Sequence, residues 1–348
     1  MNAQGLTAAN GVDEPKLMKI IRLCEELYID AIGICETWFK SKQTKIDDEM
    51  NLILTRVAPG WQWFGNKRKI QSSYAKRGSG GVGLLIRKGA GKVEIRYVGC
   101  DGVLHARVDD LDIIVLYLVP KQKKDSQRLA HNDRIWDLLD AIIPKILDDD
   151  RKLAILADGN GRFGELPSVT SSLNALRLDT DEGFEDVVDE IEKPYTRTSA
   201  DKEVNKEGRE LLDALNANNM VVLNGINNVE MDYSFVGHRG FSTVDFIAVS
   251  ENLVLPDSHT RVCEDSATDL GTDHRVIWAE VKMKTAAKVE KELETASIRA
   301  MGFKQTKLSS TECKREMRKI GEVEAKAFVE WVTNETSRIG DAQVIVTR

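Results

Sequence analysis

The stretch Arg151–Gly164, RKLAILADGNGRFG, decides how the rest of the chain is read. Its first part, Leu153–Ala157, is a short apolar run, and such runs read as buried strands. The run ends in Asp158-Gly159-Asn160, with Gly161 and Gly164 close behind. A carboxylate and a carboxamide two residues apart share one face of an extended chain. The glycines leave the backbone there open to a ligand. Asp, Asn and Gly are also the commonest turn residues, and taken alone the stretch reads more simply as a turn.

Upstream, Ile135, Leu138, Leu139, Ile142 and Ile146 recur at helical spacing, and Pro144 is expected to kink or end that helix. Before it lies KQKKDSQR, residues 121–128, a polar loop of the kind that is usually solvated but can touch a phosphate backbone. Residues 51–120 read as a run of strands. WQWF, VGLLIRKG, VEIRYVG, VLHARVD and LDIIVLYLVP follow one another with turn signals between, the pattern of an antiparallel meander. GSGG at 78–81 precedes a strand and lacks a GK[ST] ending, which excludes a phosphate loop. Nearer the start, Asp13 is placed to cap a helix with Pro15 in its first turn. Leu17, Ile20, Ile21, Cys24 and Leu27 mark the apolar face of that helix. AIGIC, residues 31–35, then reads as a buried strand ending at Glu36-Thr37-Trp38. A lone Glu at a strand end is usually solvated; this one, next to an apolar strand, is also a candidate ligand.

Downstream, residues 165–204 are polar and irregular, with an acidic patch at 178–192 that reads as a solvated loop. Residues 207–218 read as a helix carrying Leu211, Leu212 and Leu215, and MVVLNG as a strand. A final strand pair is expected in STVDFIAVS, which contains Asp245, and DHRVIWAEVKM, opened by Asp273-His274. After Lys284 the chain turns to charged, Ala-containing helices with thin apolar stripes. The expected division is therefore a main domain at 1–283 and a charged helical tail or linker at 284–348.

The 348 residues are 42% hydrophobic, enough for a sizeable core. No apolar run approaches the roughly 18–20 residues of a membrane span, so no membrane partner is expected. The N-terminus lacks the basic and apolar regions of a secretory signal. Five scattered cysteines without CxxC pairing fit reduced, structural thiols rather than a disulfide scaffold or a zinc site. A net charge of −7 argues against a simple nucleic-acid coat, which would be basic. An enzyme needs only a local basic face, and clustered carboxylates suit a hard divalent cation.

Glu36, Asp158, Asn160, Asp245, Asp273 and His274 all fall at expected strand ends. Such a set suits metal-assisted attack on a phosphodiester. A hard cation takes carboxylate oxygens and polarises a phosphoryl oxygen, a carboxylate deprotonates the water, and an imidazolium or amide stabilises the developing charge. Spacing alone does not show that they converge.

The motifs Ile34-Cys35-Glu36-Thr37-Trp38, Ala157-Asp158-Gly159-Asn160, Ser242-Thr243-Val244-Asp245-Phe246 and Thr272-Asp273-His274 occur in that order. In this the chain resembles the endonuclease/exonuclease/phosphatase superfamily. It is most similar to the endonuclease domain of LINE-like (non-LTR) retrotransposons, through ADGNGRFG, through RGSGGVGLLIRKG at 77–89 and through residues 197–225. The likeness covers roughly residues 1–283. It implies a four-layer α/β/β/α sandwich of two packed mixed sheets flanked by helices, with the ligands at one end. By motif, Glu36 would bind a catalytic Mg²⁺, or Mn²⁺ in its place, with Asp273 beside it. Asp158 would orient or deprotonate the water, and Asn160 would hold water and phosphate. His274 would contact the scissile phosphate, and Asp245 would fix its tautomer. Asn2 would be the first-strand Asn that supports the metal site. The implied partners are DNA and a reverse transcriptase region of the parent polyprotein, and the implied location is intracellular and nuclear.

The chain also departs from the family pattern. It starts one residue before Asn2, which predicts a short and weakly held first strand. Gly159 replaces an aromatic residue, which is expected to loosen the turn. Tyr117 is the candidate for the family's phosphate-contacting Tyr; with Pro120 aligned that Tyr falls on Leu118, and Tyr117, one residue out, is expected to face the other way. DNA contact is expected from Lys121, Lys123, Lys124 and Arg128, with Lys67, Arg68 and Lys69, and hence a steep salt dependence. His105, His131, His238 and His259 carry no motif and read as core or surface. Arg197 and Asn205 read as loop-ordering residues and Trp38 as core. Two other functions share the same motifs: a phosphatase acting on inositol phosphates or phospholipids, and a non-catalytic copy. The phosphatases carry a PAWxDR-like segment that is absent here; the intact polar set opposes the non-catalytic copy.

Overall fold

A computed structural model describes residues 1–281, apart from 9–10, 40–42, 67–79, 98–101, 121–125, 150, 171–193, 228–231 and 239. The side chains of 8, 43–46, 66, 97 and 126–130 lie outside it as well. The expected helical tail therefore falls outside the described residues. So do the expected basic DNA contacts: Lys67, Arg68, Lys69, Lys121, Lys123, Lys124 and the Arg128 side chain.

The chain begins with the small hairpin β1 (Thr7–Ala8) and β2 (Gly11–Val12), then α1 (Glu14–Glu26) and β3 (Ala31–Cys35). Next come α2 (Gln43–Val57), β4 (Trp61–Asn66), β5 (Val82–Arg87), β6 (Val93–Tyr97), β7 (Val103–Val108) and β8 (Leu111–Tyr117). After α3 (Ser126–Asp148) follows β9 (Lys152–Asp158), the strand read first in the sequence. The C-terminal third holds α4 (Lys206–Ala217), β10 (Met220–Val222), the hairpin β11 (Phe235–Gly237) and β12 (Gly240–Ser242), and β13 (Asp245–Ser250). It closes with β14 (Thr260–Cys263), α5 (Ser266–Leu270) and β15 (Val276–Ala279).

Local chemistry explains most of these elements. Asp13 caps α1 by accepting the Lys16 N–H at 3.0 Å, and Leu17, Ile20, Ile21 and Cys24 are its buried face. Residues 51–57 are helical, not the start of the strand run. Met50, Leu54 and Ala58 recur every four residues and are buried together, so the helical period overrides the strand reading. Pro144 neither ends α3 nor stops its packing, since the helix continues to Asp148 and Ile143 and Ile146 are both buried.

The expected meander is divided between two sheets. β6, β7 and β8 are consecutive antiparallel neighbours, while β4 and β5 pair with β3 instead. Among the described residues one sheet has the order β10-β13-β9-β8-β7-β6 and the other β3-β5-β4. Only β8 and β9 are parallel in the first, and α3 supplies their crossover.

The layers follow from strand alternation. Leu153, Ile155 and Ala157 of β9 face α3 and α4, in one core with Ile135, Leu139, Leu211 and Leu215. Ile32 and Ile34 of β3 face α1 and α2, in a second core with Leu17, Ile20 and Met50. The other strand faces pack sheet against sheet. A Cβ on Gly33 would stand 3.1 Å from both Leu156 Cβ and Val115 Cγ1, so glycine permits the close approach of β3 to β8 and β9. The result is the four-layer α/β/β/α sandwich. No helix among the described residues is long and apolar enough to cross a membrane. Cys24, Cys35 and Cys263 are free thiols.

Candidate active site

Asp158 is the last residue of β9. It pairs with Asp245, the first of antiparallel β13, and with Tyr117, the last of parallel β8. Three of the expected site positions therefore meet at one end of the sheet through register alone. Asp158 and Asp245 are both fully buried. His274 reaches the same point from the loop before β15, and its Nδ1 lies 2.7 Å from Asp245 Oδ2. The ligand atoms of Asp158, Asp245 and His274 all lie within 4.8 Å of one another. Phe235 sets its ring edge-on to His274, with centroids 5.2 Å apart.

The first strand is firmly held, contrary to expectation. Asn2 bridges to Cys35 in parallel, and Ala3 N–H donates to Cys35 O at 2.9 Å. Asn2 Nδ2 donates to Asp158 Oδ2 at 2.8 Å, while its Oδ1 accepts the Gln4 N–H at 2.9 Å. The Thr272 hydroxyl donates to Asn2 O at 2.9 Å and accepts the His274 N–H at 3.2 Å. Gln4 Nε2 in turn donates to Asp273 Oδ2 at 3.2 Å. Residues 2–4 thus stitch Asp158 to the 272–274 loop. Neither Gln4 nor Thr272 was singled out as a site residue from sequence; only their positions beside Asn2 and Asp273-His274 hinted at it.

Tyr117 does not face away. Its hydroxyl donates to Glu36, which stands just past β3 with φ of 53°. Beyond the strand, Asn132 accepts the Val119 N–H and donates to the Val119 carbonyl, both at 3.0 Å. Asn160 and Asp158 do not share a face of an extended chain, because the chain turns between them. Asn160 has φ of 47°, its N–H donates to Asp158 Oδ1 at 3.3 Å, and its side-chain amide donates to Leu118 O at 2.7 Å. The site and turn readings of this stretch therefore describe one structure. Nor is the turn loose at Gly159. A Cβ there would meet Phe246 at 2.2 Å and Leu211 at 2.8 Å, so those side chains already fill the space.

Arg197 and Asn205 order the loops around this turn. Asn205 Oδ1 caps α4 through Gly208 N–H at 2.7 Å and also takes the Arg162 N–H at 3.0 Å. Arg197 donates to Asn224 O and Leu166 O and lies over the Phe163 ring. Asp201, missed in the sequence because it sits in a polar stretch without periodicity, is buried beneath Arg162.

The electrostatics follow from this packing. Burial and the neighbouring Asp245 charge push the Asp158 carboxyl up to about 7, against the pull of His274 and the Asn2 amide. Burial would lower His274, but the charge and hydrogen bond of Asp245, helped by Asp158, outweigh it and raise the imidazole to about 9. Burial and the Glu36 charge keep the Tyr117 phenol protonated, which suits it as a donor. Asp245 Oδ1 is buried without a partner among the described residues.

Two packed sheets lie between helices, with buried carboxylates and an imidazole at one end. The chain is similar in structure to the 3'-5' exonuclease NExo from Neisseria meningitidis, with a TM-score of 0.54 at 15% identity over 79% of this chain and 97% of that one. It is also similar to an AP endonuclease from Archaeoglobus fulgidus, with a TM-score of 0.52 at 15% identity over 79% and 96% of the two chains. The endonuclease domain of TRAS1, a telomere-specific non-LTR retrotransposon, aligns with a TM-score of 0.46 at 13% identity over 77% and 93%. At these identities the likeness is one of fold. No family model and no curated protein matches the sequence.

Proposed function

We propose that this protein is a divalent-metal-dependent phosphodiesterase that cuts DNA, and that it nicks target DNA for a LINE-like retrotransposon. The observation that carries the chemistry is the buried Asp158–Asp245–His274 cluster braced by Asn2. Near neutral pH, Asp158 is poised to take a proton from water. His274 is protonated there, and with Nδ1 committed to Asp245 its Nε2 is the donor for a phosphoryl oxygen. Asn160 fixes the backbone turn beside Asp158 through Asp158 Oδ1 and Leu118 O.

The donor set fits a hard cation. The charge of Glu36 acts on Asp158, Asp273 precedes His274 in the chain, and Asp245 Oδ1 lacks a partner among the described residues. In this reading Glu36 and Asp273 would hold Mg²⁺ or Mn²⁺, which supplies Lewis-acid polarisation of the phosphoryl oxygen when bound. In the same reading the Asp–Asp–His cluster serves as acid–base machinery, with His274 Nδ1 committed to Asp245. The Asn2 carboxamide is engaged by Asp158 and Gln4, which makes Asn2 a positioning residue rather than a ligand.

DNA as substrate and the retrotransposon role are supported by the likeness of ADGNGRFG and residues 197–225 to LINE-like endonucleases. A nuclear site of action and a linked reverse transcriptase belong to the same proposal. The test is incubation with supercoiled plasmid and, in parallel, inositol phosphates, with Mg²⁺ and with EDTA. Nicking that needs Mg²⁺ is expected. Phosphate release without nicking would overturn the reading in favour of a phosphatase, and inertness toward both would leave a non-catalytic copy.

A further inference from the structure

The two stretches most like LINE endonucleases, around Asp158 and at 197–225, are distant in sequence and interlock in space. Arg162 lies two residues past Asn160. Its backbone is clasped by Asn205, whose Oδ1 takes the Arg162 N–H at 3.0 Å and whose N–H donates to Arg162 O at 2.8 Å. Its guanidinium forks onto Asp201, with Nε 2.8 Å from Oδ2. Asp201 is 3% exposed. The same Oδ2 accepts the Thr243 N–H at 2.9 Å, two residues before Asp245. One carboxylate therefore joins the segment leaving β9 through Asn160 to the segment entering β13 at Asp245.

We propose that Asp201, gripped by Arg162, is a positioning residue that sets the Asn160 turn against the Asp245–His274 pair. This rests on the phosphodiesterase reading of the site. Holding the two strands together does not require Asp201, because Gly159 N–H already donates to Val244 O at 2.9 Å. What the fork adds is direction. A planar guanidinium on a carboxylate fixes both distance and angle, which a single hydrogen bond does not. Asp201 also accepts the Glu203 N–H at Oδ1 and the Thr243 N–H at Oδ2, so the carboxylate is held on both sides of the fork. Small displacements of such a support are felt in the chemical step more than in binding.

The test uses the full chain with Asp201→Ala and the milder Arg162→Lys. For plasmid nicking, kcat should fall about 10–100-fold while KM changes less than about threefold. Adding Asp201→Ala to Asn160→Ala should cost little more than Asn160→Ala alone, because both act through one turn. Amide hydrogen exchange supplies a readout without activity. In Asp201→Ala, the Gly159 and Asn160 amides, neither of which bonds Asp201, should exchange faster while those of β7 and β8 keep their protection. A lowered melting temperature with unchanged kcat and unchanged local exchange would overturn the proposal, as would losses that multiply in the double variant. If the wild-type chain cleaves no phosphodiester, the functional reading fails, and the exchange measurement alone decides whether Asp201 positions the turn.

Discussion

Between about pH 7 and about pH 9, Asp158 is ionised and His274 is protonated, the pairing that a base and a phosphate donor need. The expected kcat/KM profile rises as pH climbs through about 7 and falls above about 9. Asp158→Ala should lower kcat by about 10²–10⁴-fold with the fold intact, measured by nicking rate beside a melting curve. Asp245 raises both groups, so Asp245→Asn should move both limbs of the profile to lower pH. His274→Ala removes the donor at every pH, and the double variant should be little worse than His274→Ala alone. Stability carries the same signature. The His274 pKa lies at 6.5 in a free imidazole and about 9 here, so its contribution is complete below pH 6.5 and is lost as pH rises through about 9. Thermal melts of the wild type should therefore fall over that window, and those of His274→Ala should fall less steeply.

The start of α4 shows why propensity alone misjudges an element. Gly208 sits in the first turn of a helix, where Ala is ordinarily better by about 1 kcal/mol. A Cβ on Gly208, however, would stand 2.1 Å from Arg162 O. Gly208→Ala should therefore destabilise the protein and disturb the Asn160 turn. Chemical denaturation and the nicking rate check both effects together, and a stabilised variant would show that the loop can retreat. The same local logic explains α2 and α3. The apolar period of residues 50–58 is helical although strands surround it in sequence. Pro144 lies near the C-terminal end of α3, and the buried positions on either side hold the helix together across the hydrogen bond that a proline cannot donate.

Across the whole molecule, the two ends of the six-stranded sheet hold buried charge for different reasons. At the site end the Asp158–Asp245 pair leaves one oxygen unpaired. At the other end of β8, Asp112 is fully buried but saturated, with His105 at 2.6 Å and Arg151 at 2.9 Å. Four residues of β8 lie between Asp112 and Tyr117. Asp112→Ala should cost roughly 3–5 kcal/mol of stability, because it leaves the buried His105 and the half-buried Arg151 without their shared carboxylate. The kcat of the folded variant should stay at the wild-type value. Urea denaturation and nicking rates separate the two ends, and a fall in kcat without a fall in stability would contradict this division.

The sequence by itself determined which strands and helices form in most of the chain and which polar residues stand at their ends. Period-2 and period-3.6 patterns, caps and apolar runs are local properties, and the ordered motifs from Glu36 to His274 made the sandwich legible before any contact was known. Only the tertiary structure decided how those ends meet. The β8–β9–β13 register turns Tyr117 inward, where alignment on Pro120 had turned it out. Likewise, Phe246 fills the space at Gly159, which compositional comparison had read as slack. Asn2 is held by Cys35 and Asp158, residues far away in sequence, so the length of its own strand said little about its placement. Asp201 gave no local signal, because its partners Arg162 and Thr243 lie 39 and 42 residues away. A buried carboxylate is recognised by the groups that pair with it, and those groups come together only when the chain folds.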